Sequence, residues 1–197
     1  RFCVAASVSG TVESVAAGKP FVMAKEEATP VRGELLQWLC ADPVASVQLP
    51  RQGVAVSQAR FTGAINWKYL ELTVPISLQN CELDAIDLDS AELLTLNLAG
   101  SRVASFRGEQ MRVQRDVIAS DGFTCTGWFR LPFAWIEGHL DLSGARLLNT
   151  ASDALFADGC RIDGDLRLRS GFQSKQGISL AGARIAGNLD CDQSQLE

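Results

Sequence analysis

The stretch that decides the fold runs Cys81-Glu-Leu-Asp-Ala85, Ile86-Asp-Leu-Asp-Ser90, Ala91-Glu-Leu-Leu-Thr95, Leu96-Asn-Leu-Ala-Gly100, Ser101-Arg-Val-Ala-Ser105. The third position of each unit is apolar: Leu83, Leu88, Leu93, Leu98, Val103. The first is Cys81, Ile86, Ala91, Leu96 and Ser101, and the second is polar throughout. An inside-outside-inside triplet is a minimal β-strand. The two residues that follow turn the chain so that the next triplet again points inward. Four such sides close a coil of about 20 residues, and successive coils stack in parallel about 4.8 Å apart. This pattern predicts an all-β solenoid, a right-handed quadrilateral parallel β-helix. Four inward side chains share a narrow axis, so Ala, Cys and Ser are expected to alternate with Leu and Ile, with little room for large rings.

Outside this stretch a nine-residue variant recurs four times with a glycine in register. It reads Ala59-Arg-Phe-Thr-Gly-Ala-Ile-Asn-Trp67, Ala134-Trp-Ile-Glu-Gly-His-Leu-Asp-Leu142, Cys160-Arg-Ile-Asp-Gly-Asp-Leu-Arg-Leu168 and Ala183-Arg-Ile-Ala-Gly-Asn-Leu-Asp-Cys191. It is the same device with one extra residue, a glycine expected to ease a corner. The pairs Ala59/Phe61, Cys81/Leu83, Ala91/Leu93, Ala145/Leu147, Cys160/Ile162 and Ala183/Ile185 place a small residue two positions before a larger apolar one. In this the chain resembles the bacterial pentapeptide-repeat proteins over roughly residues 54–197. It departs from their regular form at Phe106-Arg-Gly-Glu-Gln110, across residues 114–133, and after 148, where insertions stretch the coils.

Charge supports the stacking. Glu82, Asp87 and Glu92 lie one coil before Arg102, Arg107 and Arg112, all at the outward second position. The expected ladder is Glu82 with Arg102, Asp87 with Arg107 and Glu92 with Arg112, and Arg60 falls on the far side of Glu82. Such neighbours contribute a few tenths of a kcal/mol each.

Residues 1–50 do not follow the repeat. Thr29-Pro30 reads as a helix start. Val31, Leu35, Trp38 and Leu39 fall on one helical face, and Pro43 ends it. The expected division is an N-terminal segment (1–50) with a capping helix at about 30–42, followed by the β-helix (51–197). The far end stops at Gln195-Leu196-Glu197, just after a repeat, and is expected to meet a partner or a second copy, or to be continued.

Composition limits the chemistry. Of 197 residues 47% are hydrophobic, 7% are aromatic and 21% are charged, and the net charge is -5. That rules out wholesale disorder and disfavours a direct nucleic-acid binder. No apolar run is long enough to span a membrane. The single histidine, His139, excludes two-histidine mechanisms and reads as a solvated outward residue between Glu137 and Asp141. The six cysteines include no C-x-x-C pair. An even count permits three disulfides in a secreted protein, but the reading adopted is free buried thiols in the cytoplasm, with Cys81, Cys160 and Cys191 filling the core. Asp163, Asp165, Asp190 and Asp192 are interleaved with Arg161, Arg167, Arg169 and Arg184, which favours a neutralised surface over a cation site. Arg161 and Arg184 occupy equivalent outward sites.

These features point to no catalytic residue, cofactor or metal. The expectation is a non-catalytic protein-protein interaction or scaffold module. The resemblance adds one alternative, a DNA-mimic regulator of a topoisomerase; the other alternative is a substrate or regulatory subunit acted on by an enzyme partner. Candidate interface residues are Trp67, Tyr69, Trp128, Trp135 and Leu196.

Overall fold

The structure is a computed structural model that describes residues 21–23 and 30–196. Cys3, Thr29 and most of the N-terminal segment lie outside the described residues. The rest forms a parallel β-solenoid of about 6 turns. Its strands assemble into an eight-stranded, a ten-stranded and a six-stranded sheet, plus a two-stranded pair, and every pairing is parallel.

One inward column shows the stacking. Ile76 lies beside Leu96, Leu96 beside Val117, Val117 beside Leu140, Leu140 beside Leu166 and Leu166 beside Leu189. The steps along this column are 20, 21, 23, 26 and 23 residues, so the coils lengthen as far as Leu166 and then shorten. All but the last of these side chains are buried, and Leu189 is exposed. Full burial of each stabilises by about 1.5–3 kcal/mol.

The core is richer in rings than the narrow-axis argument allowed. Phe61, Trp67, Phe106, Phe123, Phe129 and Phe172 are all buried. Part of the reason is a register that places rings on rings. Phe106 sits in register with Phe129, and their rings stack with centroids 4.6 Å apart. Phe123 meets Phe129 edge-on at 5.9 Å.

The irregular unit at 106–110 is a size exchange. Arg102–Arg107 pairs in register with Glu82–Asp87, which puts Gly108 beside Leu88 and Met111 beside Ala91. Large and small have swapped places. A Cβ on Gly108 would come within 2.5 Å of the Met111 sulfur, so the methionine fills the space that Leu88 fills one coil earlier. Where Ser101 replaces the small apolar residue, its hydroxyl donates to the Leu78 carbonyl at 2.7 Å and accepts from the Cys81 amide at 2.9 Å, so no buried polar group is left unpaired there.

The N-terminal part departs from the expected helix. Val31–Arg32 is a strand paired with Phe61–Thr62, and its Val31 amide donates to the Arg60 carbonyl at 2.8 Å. Helix α1 therefore starts later, at Gly33–Ala41, with no side-chain cap. Its buried residues are Gly33, Leu36 and Cys40, while Trp38 is 46% exposed. The stripe read from the sequence is thus rotated. Gly33 sets the approach, since a Cβ there would lie 2.9 Å from the Gly63 carbonyl oxygen. Pro43 does end α1, but it also opens α2, Pro43–Val47. Asp42 caps α2 by accepting from the amides of Val44 and Ala45 at 2.9 and 2.8 Å. Phe21–Met23 pairs with Val54–Val56, which joins the preceding segment to the solenoid.

Candidate functional site

The most ordered outward array lies on the six-stranded sheet. Its outward column runs Glu71, Glu92, Arg112, Trp135, Arg161, Arg184, one residue per coil. At the centre, Trp135 lies between two guanidinium groups, Arg112 at 4.3 Å and Arg161 at 4.7 Å from the ring centroid. Each such contact contributes about 0.5–1 kcal/mol at a surface site. Carboxylates from the next outward position hold the arrangement. Arg112 donates to Glu137 Oε1 at 2.7 and 3.0 Å. Arg161 donates to Asp163 Oδ1 at 2.7 Å, and the Trp135 indole N–H donates to Asp163 Oδ2 at 3.0 Å. Arg161 and then Trp135 hold the Asp163 carboxyl below its ordinary range. The ends of the column are different. Glu71 and Glu92 are stacked like charges, as are Arg161 and Arg184. Glu71, Glu92 and Arg184 are exposed and make no ion pair among the described residues.

Around the sequence ladder, strand partners and ion-pair partners differ. Glu82 is beside Arg102, Asp87 beside Arg107 and Glu92 beside Arg112. Yet Arg107 closes on Asp89 at 2.8 Å, and Arg112 on Glu137. Lys68 also reaches Asp89, at 3.2 Å, and Asp87 at 3.8 Å. Glu82 takes Arg60 at 3.6 Å. The reason is reach and desolvation. A long arginine spans more than one strand position, and the Asp89 side chain is only 9% exposed, so attraction to it is less screened. Arg112 is drawn instead over the Trp135 ring.

The candidate interface residues separate. Trp67 is buried in the core, and its indole N–H has no hydrogen-bond partner among the described residues, so it is not a surface residue. Its position follows the inward register of Leu88. Tyr69 is 76% exposed and Leu196 57%. Trp128 is exposed, with Arg130 lying 5.7 Å from its ring and 5.5 Å from that of Phe156. Phe133, not singled out from sequence, is 61% exposed and sits on the bare backbone of Gly159. The signal for it was the residue type at a left-handed corner, φ 56°.

His139 is a rung rather than a free outward residue. Asp116 Oδ1 accepts from the His139 amide at 2.8 Å. His139 Nδ1 accepts from the Asp165 amide at 2.8 Å, and Asp165 Oδ1 accepts from the Asn188 amide at 2.9 Å. One side chain per coil thus satisfies a corner amide of the next. Asp165 Oδ2 also approaches His139 Nδ1, at 3.4 Å. The preceding glycines make room for these rungs. A Cβ on Gly138 would lie 2.3 Å from Asp116 Oδ1, on Gly164 2.6 Å from His139 Nδ1, and on Gly187 2.5 Å from Asp165 Oδ1. Close approach, not a left-handed backbone, is what these three require. Only Gly63, in the first copy, needs its positive φ of 77°. The Asn188 amide and then Arg167 hold the Asp165 carboxyl at about 2.

Other reactive groups are shut away or neutralised. Burial pushes the Cys40 and Cys125 thiols up to about 12 and Cys160 to about 11. Cys81 is also buried, whereas Cys191 is exposed and so does not fill the core. All five described cysteines are free. Asp165 pairs with Arg167 at 2.8 Å and Asp190 with Arg169 at 3.2 Å. No group of three or more potential metal ligands forms among the described residues. No described helix is long and apolar enough to cross a membrane.

No protein family, curated protein or solved structure matches this chain.

Proposed function

We propose that the protein is a non-catalytic interaction module that presents rigid arrays of side chains on the outside of a filled solenoid. The observation that carries this reading is the Arg112–Trp135–Arg161 stack, pinned by Glu137 and Asp163. Aromatic and arginine side chains held in place lose little entropy on binding, which is why they anchor protein interfaces. The outward columns mix acid and base, which favours this reading over an acidic imitation of DNA.

In this proposal the solenoid is a right-handed, four-sided β-helix of the pentapeptide-repeat kind, working in a bacterial cytoplasm. Support for four sides comes from the ten-stranded sheet, which divides into two arms beyond Arg102–Arg107. Parallel crossovers are right-handed in nearly all proteins. Helix α1 serves as the N-terminal cap, supported by the packing of Gly33 and Leu36 on the first coil.

The test is affinity capture from the source cells with the wild-type protein and with Trp135→Ala side by side. A partner retained by the first and lost by the second supports the reading. The same proteins captured by both would count against this face.

A further inference from the structure

The charge order of the outward column has a second property. Read from one end it is Glu71, Glu92, Arg112, Trp135, Arg161, Arg184. Reversed, every acid falls opposite a base, and the central arginine falls opposite the tryptophan. We infer that this face binds a second copy of the chain in antiparallel orientation, about a two-fold axis running along the strands between Arg112 and Trp135.

The geometry makes the pairing specific. Rungs are about 4.8 Å apart in each copy, so two reversed columns stay in step over all six positions. Glu71 then meets Arg184 of the partner copy, Glu92 meets Arg161, and Arg112 meets Trp135, each twice by symmetry. The parallel arrangement places Glu71 on Glu71 and Arg184 on Arg184, so repulsion selects against it. Glu71 and Arg184 are exposed and have no ion pair among the described residues, so no internal pair must be broken to form the two Glu71–Arg184 contacts, and Glu92, also unpaired, adds to the existing Arg161–Asp163 pair. The like-charge stacks at the two ends cost free energy in the monomer and are relieved in the dimer. Most of the contact energy is exposed charge, so the association is weak and salt-sensitive.

This inference deepens the interaction-module reading by naming the partner. It fails separately from that reading, since a monomeric protein that loses a captured partner on Trp135→Ala would refute only the second-copy claim. The experiment is sedimentation equilibrium of the purified protein in low and high salt, with four variants whose folding is checked by circular dichroism. Wild type should dimerise in low salt and dissociate as salt rises. Glu71→Arg and Arg184→Glu should each weaken the dimer by about tenfold or more, since each sets like charges together twice. The double variant Glu71→Arg with Arg184→Glu should return to within about threefold of wild type, and so should an equal mixture of the two single variants. A wild-type monomer at low salt, or single variants that dimerise as well as wild type, would overturn the inference. So would failure of the double variant to recover, or a dimer lost on Leu196→Asp but indifferent to Glu71→Arg.

Discussion

Gly108 and Met111 exchange sizes with Leu88 and Ala91, and the exchange conserves volume within a closed coil. Gly108→Leu should destabilise by about 1–3 kcal/mol through overpacking, and Met111→Ala by about 2–5 kcal/mol through a cavity. Together they should recover most of the loss in denaturant melts, because the pair recreates the Leu88/Ala91 arrangement. Additive losses would disprove the exchange. The corner rungs make a second claim at this scale. His139→Asn keeps an acceptor for the Asp165 amide and should be tolerated, whereas His139→Ala should cost about 1 kcal/mol. Asp165 adds a pH dependence. Its carboxyl is held at about 2 in the folded chain, below the unfolded value of about 3.9. Its stabilising effect is therefore fully present above pH ~4 and is lost as pH falls toward 2. Asp165→Asn should flatten that part of the acid-unfolding curve.

The strands and helices show where local pattern suffices and where it stops. The registers that set Glu82, Asp87 and Glu92 beside Arg102, Arg107 and Arg112 followed directly from the five-residue period, because the inward residues of each coil must stack on those of the next. The helix start did not. Thr29-Pro30 is a sound local signal, but pairing Val31 with Phe61 satisfies backbone groups that a helix would leave open, and that gain is visible only with the strand in place. The ladder was readable as to strands and misread as to ion pairs. In a double-mutant cycle, Arg107→Ala should couple to Asp89→Ala by about 0.5–1 kcal/mol, and hardly at all to Asp87→Ala. Equal coupling to both would show that the strand partner, not the desolvated corner acid, holds the arginine.

At the scale of the whole molecule the protein is a stack in which each coil is sealed by its neighbours, so a defect in a central coil removes support on both sides. Phe129 touches Phe106 on one side and Phe123 on the other. Phe129→Ala should therefore cost about 3–5 kcal/mol in denaturant unfolding, and a loss below 1 kcal/mol would mean the rings are not packed as described. The amino-acid order alone set the solenoid, its coil count and the outward place of Trp135, because these depend on a short period repeated along the chain. Only the folded structure decided that Trp67 is buried, that His139 is a rung between coils, and which acid each arginine takes. Those outcomes depend on how coils of unequal length stack and on the reach of long side chains across them, and neither is written in any single repeat.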